Sequence, residues 1–230
     1  MAFAGKRQKV DFADPKTVIL AELLCKRQNT VPSRLLVVGC GRGTEAAVLA
    51  QHLGASVTGI DIVSNFDARA GLLADLRQGD ATQMQFDDES FDFVYSFHAL
   101  EHIPDFRAAL HEIRRVLRPG GGWMIGTPNR DRIIGYLGSK DASIIAKLRW
   151  NFVDWNAKLK GQFRNEFGAH AGYTKEELRN ELTQEFSQVD DITLDYYLGV
   201  YSKKRYLIEI AVRVGAAPWL FPCIYFLGRR

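Results

Sequence analysis

Glycines and aspartates carry the chemistry that is easiest to recognise in this sequence. The loop at 39–43 reads Gly-Cys-Gly-Arg-Gly, between an apolar run and a helical pattern that begins at Thr44. Glycine lets a ligand approach the backbone closely, and a helix N-terminus offers unpaired N–H groups. Asp61 closes the next apolar run, twenty residues after Gly41. In a doubly wound sheet an aspartate there faces the loop and can accept both hydroxyl groups of a ribose.

The spacing of the glycines indicates which nucleoside ligand this loop suits. A dinucleotide site has the pattern G-x-G-x-x-G/A, whereas here Thr44 occupies the third position and the glycine comes one residue early, at Gly43. This spacing favours a nucleoside without a pyrophosphate. A tight strand–helix turn that binds nothing is the alternative for the loop, and a turn aspartate is the alternative for Asp61.

Length and composition set limits on the class of protein. The chain has 230 residues, of which 47% are hydrophobic and 25% charged, enough for one domain with a full core. These values exclude intrinsic disorder, collagen-like repetition and a disulfide scaffold. The three cysteines, Cys25, Cys40 and Cys223, are far apart and odd in number, as expected of free thiols in a reducing compartment. The net charge of +3 is too small to argue for nucleic acid.

Targeting signals are not expected in this sequence. The basic N-terminal residues precede no apolar stretch, and the longest uncharged run near the C-terminus, 214–228, is shorter than the ~20 residues that span a bilayer. We expect a soluble, cytoplasmic protein whose C-terminal segment belongs to the core.

Short apolar runs alternate with helical spacing along the first half of the chain, which indicates a parallel sheet covered by helices on both faces. The predicted helices begin at Asp14-Pro15, Thr44 and Pro104, with a short one after Ser64. The predicted strands cover 34–38, 56–60, the residues before Gly79, 91–96 and 123–127.

The second half of the chain is less regular. Thr174 and Glu177 form a capping box that predicts a helix to about Glu185. We expect a strand at 189–197, a helix at 206–214 and a last strand at 220–227. One domain is the economical interpretation, with a cofactor-binding core at 30–130, an inserted helical lid or acceptor segment at 131–172 and the rest of the sheet at 173–230.

Four motifs in order resemble those of the class I S-adenosylmethionine-dependent methyltransferases, of the small-molecule type. They are LLVVGCGRGTE, VTGIDI, GDATQMQFDDESFDFVYSFHALEHIPD and LRPGGGWMIGTPN, which together cover about 35–129. The resemblance implies a Rossmann-like, doubly wound α/β sheet of about seven mostly parallel strands, the last one antiparallel. It also implies S-adenosyl-L-methionine as the cofactor and no metal.

The resemblance carries roles to particular residues. The glycine loop borders the methionine and ribose portions of the cofactor, Asp61 holds the ribose, Asp80 accepts from the adenine amino group, and Ala81 offers its backbone N–H. Phe97 and His98 lie beside the cofactor. The complete set of implied cofactor-binding residues is Gly39, Cys40, Gly41, Gly43, Asp61, Ile62, Asp80, Ala81, Phe97 and His98. Val37 stands where the family often has an acidic residue, which leaves open how the ammonium end of the cofactor is held.

Methyl transfer from a sulfonium is an in-line displacement that needs alignment and desolvation, and a hydroxyl acceptor also benefits from a general base. Imidazole suits that task near neutral pH. His98 and His170 are the candidate catalytic residues, since His98 follows the fourth strand and His170 resembles a position at the acceptor entrance of related enzymes. His102 is expected to be structural.

Two alternatives come from other functional classes. His98-Ala99-Leu100-Glu101-His102 matches H-x-x-E-H, a zinc metalloprotease signature, but a strand precedes it and Pro104 follows, which leaves little room for the helix that zinc ligation needs. The other alternative is a methyltransferase-like protein that binds cofactor or a partner without catalysis.

The acceptor is expected to be a small molecule, methylated most readily at oxygen, with carbon and nitrogen left open. Aromatic and basic residues in the insert suit a lid over an apolar, aromatic, lipid or quinone-like acceptor, and keep peripheral membrane contact in consideration. The spacing of Leu148, Phe152, Trp155 and Leu159 equally suits a helix packed on the core. Nucleic acid is not an expected partner, and the oligomeric state stays open. The aromatic residues are Trp150, Phe152, Trp155, Phe163 and Phe167, and the basic ones are Lys147, Arg149, Lys158, Lys160 and Arg164.

Overall fold

The computed structural model describes residues 12–136, 142–165 and 171–230. Seven strands form one sheet in the order β3-β2-β1-β4-β5-β7-β6, in which β7 runs antiparallel to both its neighbours and the other pairs are parallel. The strands are β1 (Arg34–Val38), β2 (Ser56–Asp61), β3 (Asp75–Gln78), β4 (Phe91–Phe97), β5 (Leu117–Pro128), β6 (Gln188–Asp191) and β7 (Cys223–Arg229). The predicted doubly wound, mostly parallel α/β fold is confirmed.

Helices cover both faces of this sheet. One buried cluster joins α1, α2 and α6 to the sheet, and a second cluster joins α3 and α5 to its other face. The helices are α1 (Pro15–Gln28), α2 (Thr44–Leu53), α3 (Phe106–Val116), α4 (Ile144–Leu159), α5 (Lys175–Glu185), α6 (Thr193–Val200), α7 (Arg205–Arg213) and α8 (Ala217–Leu220).

Side-chain caps set several helix starts where the sequence predicts them. The Asp14 carboxylate accepts from the Thr17 N–H, and Thr174 and Glu177 form the full capping box. Helix α3 begins at Phe106 rather than at Pro104, because the Asp105 carboxylate accepts from the Ala108 N–H and caps the helix there. These caps explain why the helix boundaries could be read from short motifs.

Three predicted elements differ from the structure. The strand expected at 189–197 ends at Asp191, whose carboxylate accepts from the Thr193 N–H at the start of α6. Helix α6 then buries residues 193, 196 and 197, a helical rather than an alternating spacing. The helix expected after Ser64 is a single 3₁₀ turn at Ala70–Leu72, and β7 begins at Cys223 because α8 occupies the residues before it.

The insert contains α4, whose orientation contradicts the packing that its apolar spacing suggested. Leu148, Phe152, Trp155 and Leu159 lie on the exposed side of the helix, with exposed fractions of 62%, 67%, 42% and 88%. Polar side chains lie on the inner side instead, where Asn151 is buried. Phe167 lies outside the described residues.

Candidate active site

The loop between β1 and α2 lies at the carboxyl edge of the sheet and needs its glycines. Gly39 has φ +73°, and a Cβ there would approach the Ala99 Cβ to 2.1 Å. Gly43 has φ +86°, and a Cβ there would meet the Leu76 side chain at 2.3 Å. A Cβ on Gly41 would instead meet nothing within 4 Å. The backbone at Gly41 therefore borders open space rather than packed protein, as a ligand cradle requires.

Asp61 joins the end of β2 to this loop. Its Oδ2 accepts from the Gly41 N–H at 2.7 Å, and its Oδ1 accepts from the Val63 N–H at 3.0 Å. A carboxylate offers about four lone-pair positions, so both oxygens retain one for a ligand. The structure thus brings Asp61 to the position facing the loop that the twenty-residue spacing indicated.

Asp80 lies just beyond β3, next to Asp61, because β2 and β3 pair in parallel with Asp61 opposite Gln78. Its Oδ1 accepts from the Thr82 N–H at 2.8 Å and from the Thr82 hydroxyl at 2.7 Å. Both hydrogen bonds lower the pKa of Asp80 below its usual value, and the bond from the Thr82 N–H has the larger effect. Both bonds end on Oδ1, which leaves Oδ2 available to accept from a ligand.

A cleft of about 630 Å³ runs along this edge of the sheet. That volume falls within the range of ~300–1,000 Å³ that small-molecule sites occupy. Of the predicted cofactor residues, Gly39, Gly41, Asp61, Ile62, Asp80, Ala81 and His98 line it.

The other predicted cofactor residues lie at the edges of this cleft or behind it. Cys40 is buried in the core below the loop, and burial raises the pKa of its thiol to about 12. Gly43 is the N-cap of α2, and Phe97 is buried between the rings of Tyr95 and Tyr225.

His98 has an unusual backbone conformation at the end of β4. Its φ is +51°, in the left-handed region, and its N–H donates to the Gly126 carbonyl at 2.9 Å. Non-glycine residues in this region cost about 1–3 kcal/mol and concentrate at functional sites. The left-handed backbone conformation therefore marks His98 as a candidate functional residue.

Two groups flank that imidazole. Its Nδ1 lies 3.6 Å from the Glu101 Oε1, and its Nε2 lies 3.9 Å from the Cys223 Sγ. Burial opposes the charged imidazolium, but the Cys223 and Glu101 contacts outweigh it and raise the pKa of His98 to about 10. The same imidazole lowers the pKa of the Cys223 thiol against the effect of burial. At neutral pH this arrangement favours a cationic His98.

A second cavity, of about 260 Å³, lies on the other side of His98. Four aromatic rings form much of its wall, those of Phe97, Tyr196, Tyr197 and Tyr225, and their centroids lie 4.0–6.3 Å apart in successive pairs. Tyr201, Leu20, Pro222 and Cys223 also line it. We call this space the aromatic cavity. Because His98 lines both spaces, it stands at the boundary between the cleft and the aromatic cavity.

Acidic and basic groups lie at the α1–α2 side of the aromatic cavity. Asp14, Lys16 and Glu45 line it there. Burial raises the pKa of Glu45 to about 7. A carboxylate in such a place is costly to ionise unless a cation pairs with it, and His98 and Lys16 are the cations close to Glu45.

His102, expected to be structural, and His170, the other candidate catalytic residue, differ in position. His102 lines the cleft from a 3₁₀ turn at Leu100–His102, and His170 lies outside the described residues. The same turn bears on the metalloprotease alternative, since H-x-x-E-H ligation needs two histidines on one face of an α-helix. Among the described residues no group of three or more His, Cys, Asp or Glu side chains is placed to hold a metal ion.

Sequence reasoning missed the groups that surround His98. Glu101 could have been found, because it follows His98 by three residues in a motif that we considered only for zinc. The aromatic cavity could not, since Tyr196 and Tyr197 lie in a segment predicted as a strand that is helical in the structure. Cys223 comes to His98 from 125 residues away through the pairing of β7 with β5.

The sheet order and its antiparallel β7 are those of a Rossmann-like methyltransferase fold, with a cleft at the carboxyl edge of the sheet. A family profile described as "Methyltransferase domain" matches residues 36–125. The matched region lies within the stretch of four motifs that resemble those of the class I S-adenosylmethionine-dependent methyltransferases.

Curated relatives carry related names. Sterol 24-C-methyltransferase ERG6B of Gibberella zeae is 41% identical over 97 residues, which cover 38% of this chain. The match spans only 26% of that relative's own length. Ubiquinone biosynthesis O-methyltransferase of Pseudomonas aeruginosa is 26% identical over 186 residues, covering 74% of this chain and 79% of the relative.

Solved structures share the fold at low sequence identity. Phosphoethanolamine N-methyltransferase 2 of Haemonchus contortus, solved with S-adenosyl-L-methionine, has a TM-score of 0.55 and 19% identity, covering 92% of this chain and 52% of the other. The [4+2]-cyclase SpnF has a TM-score of 0.55 and 19% identity, covering 93% and 80%. These likenesses bear on the fold alone, and a cyclase among them shows that the fold does not fix the reaction.

S-adenosylmethionine is the cofactor of the family, and the residues present fit it. Gly41 leaves room beside the backbone that a side chain would fill, and two carboxylates on neighbouring strands retain acceptor positions for a sugar and an amino group. His98 also lines the aromatic cavity, in which the half-buried Glu45 carboxyl suits a cationic group.

Proposed function

We propose that this protein is an S-adenosylmethionine-dependent methyltransferase acting on a small apolar or aromatic acceptor, of lipid or quinone-like type, at an oxygen atom. The observation that carries the proposal is the position of His98, which lines both the nucleoside cleft and the aromatic cavity. A donor on one side and an acceptor on the other meet at this residue, as in-line transfer requires.

The cleft binds the nucleoside end of the cofactor. Asp61 accepts from the ribose hydroxyls, while the Gly41 N–H keeps its carboxylate in place. Asp80, held by Thr82, accepts from the adenine amino group, and Ala81 lies beside it in the cleft. Charged hydrogen bonds of this kind contribute about 1.5–3 kcal/mol each.

The methionine end of the cofactor lies towards Glu45 and Lys16. Val37, which stands where the family often has an acidic residue, is buried in the core and reaches no ligand. Glu45 takes over that task from the first turn of α2, since it lines the cavity and burial raises its pKa despite the nearby His98 and Lys16. Binding of the cofactor ammonium restores the ionised form of Glu45.

His98 acts at the acceptor end. When bound, S-adenosylmethionine supplies an activated methyl group on a sulfonium. A general base there requires neutral imidazole, whereas Glu101 and Cys223 favour the imidazolium. His98 therefore stabilises the acceptor as an oxyanion, and Glu101, whose side chain is only 1% exposed, positions the imidazole and balances its charge.

The acceptor class follows from the wall of the aromatic cavity. Tyr196, Tyr197 and Tyr225 line the cavity with aromatic rings, which favour a flat, conjugated molecule. A phenolic hydroxyl ionises far more readily than an alcohol, as an oxyanion mechanism needs. The names of the sterol, ubiquinone and fatty-acid relatives agree with lipid-like acceptors.

An acceptor screen with purified protein tests this proposal. We expect mass spectrometry to find a product 14 Da heavier, as one CH₂ added to the molecule requires, with long-chain phenols and catechols. Their O-methylated analogues serve as matched controls and should give no product. Tight cofactor binding without turnover on phenols, fatty acids, sterols or amines would contradict the proposal and support the non-catalytic alternative.

A further inference from the structure

Helix α4 presents its apolar side outward and its polar side inward. Its exposed residues include Ile144, Ile145, Leu148, Phe152, Val153, Trp155 and Leu159, with exposed fractions from 42% to 88%. In a water-facing helix the apolar stripe normally packs on the core. An exposed stripe of this size marks an interaction surface.

Polar contacts on the inner side fix this orientation. The Asn151 side chain accepts from the Gly135 N–H at 2.6 Å and donates back to the Gly135 carbonyl at 3.3 Å. Asp154 pairs with Arg132 at 3.1 Å, and Lys158 donates to the Arg132 carbonyl. Rotating α4 to bury its apolar side would leave these polar groups without partners. The polar contacts therefore keep the apolar side of α4 facing outward.

The apolar surface continues from α4 to α8. The Trp155 indole N–H donates to the Ile133 carbonyl at 2.6 Å, and the Ile133 N–H donates to the Trp219 carbonyl at 2.8 Å. Ile133 and Trp219 are themselves 51% and 52% exposed. We call the outward residues of α4 together with Ile133 and Trp219 the docking face.

Basic side chains accompany the docking face. Arg149 and Lys160 are exposed on and just after α4, and Lys203, Lys204 and Arg213 are exposed around α7, which contacts α8. The acidic residues of α4 and α7 are neutralised, Asp154 by Arg132 and Glu209 by Arg205 at 2.7 Å. Asp131 is also exposed, two residues before Ile133, but the five basic residues outnumber it, so the charge around the apolar surface is positive, which complements anionic lipid headgroups.

The docking face also adjoins the aromatic cavity. Helix α8 leads directly into Pro222 and Cys223, which line that cavity. Asn129 fixes the segment from α8 to Cys223 in place, since its side-chain amide donates to the Pro218 and Phe221 carbonyls at 2.6 and 2.8 Å. A surface that contacts this face lies next to one wall of the acceptor space.

We propose that the docking face binds the surface of an anionic phospholipid bilayer, with the aromatic and aliphatic side chains of α4 in the interface and the basic residues against the headgroups. Tryptophan, phenylalanine and leucine beside lysine and arginine are the residues that interfacial helices use. No helix among the described residues is long and apolar enough to cross a membrane, so the contact is a surface contact.

Vesicle co-sedimentation of the full chain tests this proposal. We expect the wild-type protein to bind vesicles of phosphatidylcholine with phosphatidylglycerol at least tenfold more strongly than vesicles of phosphatidylcholine alone. The double variant Leu148→Gln/Phe152→Gln should lose at least tenfold in partitioning. The matched control is Leu72→Gln, an equally exposed leucine on the 3₁₀ turn beside β3, which should bind as the wild type does.

Folding and the cofactor cleft are checked separately. Both variants should keep the wild-type melting temperature and the wild-type affinity for S-adenosylhomocysteine, because the changed side chains lie in solvent. Arg149→Gln/Lys160→Gln should weaken binding to the anionic vesicles and leave binding to neutral vesicles unchanged.

Several outcomes would overturn the proposal. Wild-type protein that fails to sediment with anionic vesicles would do so, and so would a Leu148→Gln/Phe152→Gln variant that sediments normally. A wild-type dimer in solution that this variant converts to a monomer would instead assign the face to a second copy of the chain. If the wild-type protein does not bind vesicles but still methylates a detergent-dispersed acceptor, the membrane proposal is wrong and the proposed function stands.

Discussion

Cofactor affinity should depend on pH through Glu45. If the cofactor ammonium pairs with the ionised carboxylate, binding is weakened by the fraction of protein in which Glu45 is protonated. With a pKa of about 7 in the free protein, about half of Glu45 is ionised at pH 7 and only about 3% at pH 5.5. The dissociation constant of S-adenosylhomocysteine should therefore rise about fifteenfold between these two values.

Isothermal titration at several pH values measures this effect, and Glu45→Gln is the control. The variant should bind more weakly than the wild type at pH 7 and show little change down to pH 5.5. Other groups on that side of the cavity remain in both proteins, Asp14, Lys16 and His98 among them. An equal pH dependence in wild type and variant would refute the role of Glu45, as would a wild-type affinity independent of pH.

Two further substitutions test other parts of the site, and Glu45→Gln serves again in a measurement of stability. Asp61→Asn keeps an oxygen for the Gly41 N–H but loses the charge, so cofactor affinity by titration should fall about tenfold to a hundredfold, and unchanged affinity would remove Asp61 from the ribose site. Glu101→Gln should lower the pKa of His98, bringing its titration by NMR towards the neutral range; an unmoved titration would show that Glu101 does not hold the charge. Glu45→Gln should raise the free energy of unfolding at pH 8 by at most about 3 kcal/mol, because a carboxyl whose folded pKa is raised costs stability as pH rises from about 4.5 through about 7. Chemical denaturation at pH 5 should show a difference of less than about 1 kcal/mol, because Glu45 is then protonated in the folded protein and partly protonated in the unfolded one.

The nucleoside half of the site could be predicted because its determinants are local. Each glycine and aspartate lies at the end of a strand, and parallel strands bring these ends to one edge of the sheet. Gly41 and Asp61 are twenty residues apart in the sequence, and a hydrogen bond joins them in the structure. The starts of α1 and α5 were predictable for a similar reason, since their side-chain caps are formed within three residues.

The acceptor half was not predictable from local patterns. Cys223 meets His98 only because β7 inserts between β5 and β6, which no short motif specifies. The tyrosines of α6 were assigned to a strand, since a run of large residues suits either structure. The apolar side of α4 was misplaced because periodicity shows that a helix has two faces without showing which one meets the protein.

A crystal structure of the protein with S-adenosylhomocysteine tests the central claim most directly. We expect the adenosine in the cleft with its ribose on Asp61 and its adenine beside Asp80, its amino group at Glu45, and its sulfur next to His98, facing the aromatic cavity. A ligand bound away from Asp61 and Asp80, or a sulfur turned away from the aromatic cavity, would contradict the account.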